Sequence, residues 1–82
     1  MPLIIFDTKG LPAVRRERIE TAVIAGGKQV AGSHEAWIAV DPFNGAVVVV
    51  ITGRFGFERR LQFPLDAEAH EITERVRLTL ED

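Results

Sequence analysis

An 82-residue chain with 46% hydrophobic residues and no cysteine is long enough for one domain, held together by apolar packing rather than by disulfides or thiolate zinc sites. Ten basic and twelve acidic residues, mixed along the chain, give a net charge of −2, a balance that lends no support to a polyanion as partner. No apolar run approaches the ~20 residues of a membrane span, and the opening Met-Pro-Leu-Ile-Ile-Phe-Asp lacks the basic start and cleavage site of a signal peptide, so a cytoplasmic location is expected.

The first element is a short β-rich run, Leu3 to Phe6, ended by the turn-forming Asp7-Thr8-Lys9-Gly10. It suits an edge strand, or one swapped to a partner. From Pro12 the pattern becomes helical, with Gly26-Gly27 expected to stop the helix. Its core stripe is Ile19, Ala22 and Val23, with Val14 as a possible extension and Ile24 off the stripe as an exposed apolar residue. Lys28 to His34 is a polar connection.

Glu35 to Ile51 carries the strongest pattern. Two apolar arms flank Asp41-Pro42-Phe43-Asn44-Gly45, in which Asn and Gly tolerate the positive φ of a tight turn. A four-residue connection over Pro42 to Gly45 opposes Val40 to Val47, Ile38 to Val49 and Ala36 to Ile51 on one face. The other face then holds Trp37 opposite Val50 and Ala39 opposite Val48. The second arm is apolar on both faces and so asks for two covering layers, while so short a chain supplies helices for one. Arg54-Phe55-Gly56 is a three-residue hairpin turn with Gly56 left-handed. It places Phe57, Leu61 and Phe63 beside Val47, Val49 and Ile51, with Arg59 a misfit on that apolar face. Pro64 ends the strand, Asp66 is the expected N-cap of a last helix, and Ala69, Ile72, Val76 and Leu80 form its stripe. The fold class is α+β: a two-layer sandwich in the order β-α-β-β-β-α over residues 1–82, with an antiparallel three-stranded meander and both helices on one face.

Gly32-Ser33-His34 is the sharpest chemical triplet, since an imidazole titrates near neutral pH and can serve as a general base. At this triplet, and in the order of its elements, the chain resembles the HicA family of mRNA-interferase toxins, small helix–three strands–helix domains in which Gly-Ser-His opens the first meander strand. The resemblance implies His34 as catalytic residue and RNA as substrate. The chain departs from that family in its acidic balance, its extra N-terminal apolar segment, and a last helix that opens on Asp66, Glu68 and Glu71. An exposed loop histidine is the simpler reading of His34. Gly53-Arg54-Phe55-Gly56 has the GxxG form of an RNA-clamping loop, yet lies between strands, where a hairpin turn accounts for both glycines. His70 and Glu74 are four apart on a helix but need further ligands to make a metal site.

The functional expectation is therefore a non-enzymatic interaction module that self-associates through the sheet face bearing Trp37, Ala39, Val48, Val50 and Arg60. The alternative is an RNA-directed domain, binding RNA or cleaving it through His34. No cofactor or metal is expected. The expected partner is a second copy or another protein, rather than nucleic acid or a membrane.

Overall fold

The computed structural model describes residues 3–30 and 32–81; Met1 and Pro2, part of the signal-peptide reading, lie outside them. In chain order the elements are β1 (Leu3–Lys9), α1 (Ala13–Lys28), β2 (His34–Val40), β3 (Val47–Thr52), β4 (Glu58–Phe63) and α2 (Ala69–Glu81). The strands form one sheet in the order β1-β2-β3-β4. β1 runs parallel to β2, and the β2-β3 and β3-β4 pairs are antiparallel. Parallel neighbours need a crossover, which α1 supplies.

The expected register of the central hairpin is the observed one: Val40 pairs with Val47, Ile38 with Val49, Ala36 with Ile51, Trp37 with Val50, and Ala39 with Val48. The turn explains why. The Asp41 N–H donates to the Ala46 carbonyl at 2.8 Å, closing the connection around Pro42 to Gly45. The Asp41 carboxylate accepts from the Phe43 N–H, the Asn44 side chain accepts from the Ala46 N–H, and Gly45 takes φ 71°. Such local side-chain bonds fix the loop and with it the strand parity.

β4 continues the pattern, with Phe63 opposite Val47, Leu61 opposite Val49 and Arg59 opposite Ile51. The misfit at Arg59 is resolved by its edge position: the side chain stays exposed, with its guanidinium 4.5 Å from the centre of the Phe57 ring.

Both helices cover the face formed by Ala36, Ile38, Val47, Val49, Ile51, Leu61 and Phe63. Ile19, Ala22 and Val23 of α1, and Ile72, Val76 and Leu80 of α2, join that single buried cluster. Burying an aliphatic side chain of this size stabilises the fold by about 1.5–3 kcal/mol, so this layer is where the stability lies.

Four local expectations are corrected. Gly26 and Gly27 do not stop α1; both are buried within it. A Cβ at Gly26 would lie 2.6 Å from the Thr73 carbonyl oxygen and 2.8 Å from the Val76 Cβ, and one at Gly27 would collide with the Leu3 Cβ. The glycines thus let α2 and β1 approach α1 closely, and the Thr73 hydroxyl donates to the Ala22 carbonyl at the same contact. Val14 is not core but 82% exposed, at the rim of an open hollow in the first turn of α1, whereas Ile24 packs against the core. β1 does not end at Phe6: its register slips by one between Ile5 and Asp7. That slip turns Thr8 toward α1, where its hydroxyl donates to Glu20, and sends Asp7 and Lys9 to the opposite face. Finally, Asp66 is not the cap of α2. The Ala67 N–H donates to the Pro64 carbonyl, forming a turn, and the Glu68 carbonyl accepts from the Ile72 N–H as the helix begins. Arg15, donating to the Leu65 carbonyl at 2.9 Å, ties that turn to α1.

Candidate functional site: the outer sheet face and its ends

The face away from the helices is read row by row. Asp7, Trp37, Val50 and Arg60 are successive partners across the four strands. On one side of that row lie Lys9, Ala39, Val48 and Gln62; on the other lie Ile4, Glu35, Thr52 and Glu58. The two central strands therefore present Trp37, Ala39, Val48 and Val50 as one patch, and charged residues flank it on the edge strands. The sequence expectation placed these residues together, and the pairing does so.

The patch is more shaded than expected. Ala39 and Arg60 are exposed and Trp37 and Val50 half-buried, but Val48 is only 9% exposed. On a pleated central strand a small side chain sits low between longer neighbours. Val48 borders a hollow of about 330 Å³ that Ala39, Phe43 and Arg60 also line. Phe43, at the tip of the β2–β3 turn, is 97% exposed. Its proximity to the patch escapes a sequence reading, because a turn residue has no parity from which to infer a face.

His34 opens β2 at one end of the sheet and is half-buried, not an exposed loop residue. Its ring meets Phe57 edge-on, with centres 5.5 Å apart, and its Cδ2 lies close over Gly53. Burial pushes the imidazole below its ordinary pKa of 6.5. Among the described residues Nδ1 is buried without a hydrogen-bond partner. Beside it is a hollow of about 270 Å³, lined also by Ser33, Glu35, Thr52 and Arg54. The β3–β4 turn next to it holds Phe55 left-handed, at φ 59°, as well as Gly56 at φ 75°. Phe55 projects fully into solvent. The Gly53-Arg54-Phe55-Gly56 segment is thus a hairpin turn, closed by the Gly53 N–H donating to the Phe57 carbonyl.

A hollow of about 500 Å³ lies on the helix layer between α1 and α2, with Val14, Ala25, Ala69 and His70 among its walls. His70 and Glu74 do not converge on a third ligand; Glu74 is bound by Arg77, whose hydrogen bond holds the carboxyl below its ordinary range. Arg77 also reaches Glu81 at 2.9 Å. Among the described residues no group of three or more His, Cys, Asp or Glu is placed to hold a metal, and no helix is long and apolar enough to cross a membrane.

Compared with protein-family models, with curated proteins and with solved structures, the chain matches none. The site itself therefore has to carry any functional reading.

Proposed function

We propose that the protein is a small interaction module that associates with a second copy of itself through the outer sheet face. The observation that supports this most is the alignment of Trp37, Ala39, Val48 and Val50 on two central strands, on the side where no helix packs. A contiguous apolar patch rimmed by charge is what protein contacts use, with tryptophan and arginine favoured at their centres. The sheet edges are poorly suited to the same task. β4 carries Glu58, Arg59 and Arg60, and β1 carries Asp7, Lys9 and a register slip, devices that discourage edge-to-edge pairing. Sedimentation over a range of concentrations tests the reading. A dimer at micromolar concentration is expected, and Val50→Glu is expected to give a folded monomer. A wild-type chain that stays monomeric at high concentration refutes it.

A second reading rests on His34. An imidazole whose pKa burial lowers, beside a hollow lined by Ser33 and Arg54, has the chemistry of a general base, and RNA would be its substrate under the resemblance to HicA toxins. Loss of RNA cleavage in His34→Ala, with the fold retained, would support it. An absence of cleavage by the wild type removes it.

A further inference from the structure

We propose that the two copies meet face to face about a two-fold axis parallel to the strands, so that Asp7 of each copy pairs with Arg60 of the other. This rests on the self-association reading above and specifies its geometry. In a face-to-face pair of identical sheets the two-fold axis lies between the sheets, and maximum overlap places it over the boundary between β2 and β3 of the four strands.

If the axis runs along the strands, each row is preserved and its order reversed. β1 of one copy then lies over β4 of the other. In the central row this sets Asp7 opposite Arg60, and Trp37 opposite Val50. In the next row Ala39 meets Val48 and Lys9 meets Gln62. The large tryptophan faces a smaller valine twice, and the one basic residue of the central row faces the one acidic residue twice.

If the axis instead crosses the strands at the central row, β1 lies over β1 and β4 over β4. Arg60 then opposes Arg60 and Asp7 opposes Asp7, which repels at both edges. The charge pattern selects the first arrangement; either axis keeps the strands of the two sheets aligned, as in β-sandwiches with sheets about 10 Å apart. Among the described residues Arg60 has no ion pair, while the Asp7 side chain is about half exposed and its carboxylate pairs with Lys9 at 3.6 Å.

The test uses four proteins: wild type, Asp7→Arg, Arg60→Asp and the exchange that carries both. Dimerisation is read by analytical ultracentrifugation at low and high salt, with circular dichroism confirming the fold. Each single reversal is expected to weaken the dimer about tenfold or more, and the exchange to restore it to within about threefold of wild type. Mixing the two single variants is expected to give a heterodimer, because each contact then joins opposite charges. A wild-type dimer indifferent to the single reversals, or one that the exchange and the mixture fail to rescue, overturns this geometry and leaves self-association standing. A wild-type chain monomeric at every concentration overturns both.

Discussion

The two faces of the sheet are built from the same β-branched residues and differ in what lies over them. On β3, Val47, Val49 and Ile51 are fully buried beneath the helices, while Val48 and Val50, one residue out of phase, face away from both described helices. Valine at successive positions thus serves two purposes. The covered face holds the core of the monomer, and the outer face, though Val48 is shaded there, leaves Trp37 and Val50 half-exposed. What separates them is the close seat of the helices, which depends on glycines inside α1.

The largest expected effect removes that seat. Gly26→Val would drive a branched side chain into the Thr73 carbonyl and Val76, and should cost about 3 kcal/mol or more in denaturant melts, despite the better helix propensity of valine. A stability near wild type would mean that the glycine is not what lets α2 approach. The next effect compares the faces directly. Val49→Ala should cost about 2 kcal/mol at every protein concentration, because it opens a cavity in the monomer core. Val50→Ala should lose its penalty on dilution if the contact it damages belongs to the proposed dimer. The reverse pattern would exchange the roles of the two faces.

A smaller effect of opposite sign is expected at the hairpin tip. Phe55 is exposed and left-handed, a conformation costing a non-glycine residue about 1–2 kcal/mol. Phe55→Asn should therefore raise stability by about 1 kcal/mol, and a loss would mean that the ring is held by something in the folded chain. The subtlest test is pH dependence at His34. Burial depresses its folded pKa below 6.5, so the unfolded chain takes up this proton first as pH falls. The resulting stability is complete above about pH 6.5 and is lost as pH drops through the folded value. His34→Phe, which keeps a ring against Phe57, should flatten that part of the stability–pH profile, and an unchanged slope would place the sensitivity elsewhere.

Much of the candidate site was legible in advance because strand parity is a local property. Asn44 and Gly45 set the turn, the turn sets the pairing, and the pairing brings Trp37, Ala39, Val48 and Val50 to one face. The partial burial of Val48 was not legible, because it depends on the size of neighbours on other strands. Nor was the placement of His34. A histidine after Gly-Ser reads as a loop residue until Phe57, from the far side of a hairpin, is brought against its ring.

By itself the sequence determined the element order, the register of β2 with β3, and the inward stripe of α2, since alternation and helical period operate over a few residues. Tertiary structure alone decided the rest. Gly26 and Gly27 weaken a helix considered alone, and only the close approach of Thr73, Val76 and Leu3 makes them right inside one. Asp7-Thr8-Lys9 reads as a turn by composition, yet parallel pairing with β2 and a hydroxyl bond to Glu20 draw it into the sheet. In each case the deciding partner lies on another element of the fold, beyond the reach of any local pattern.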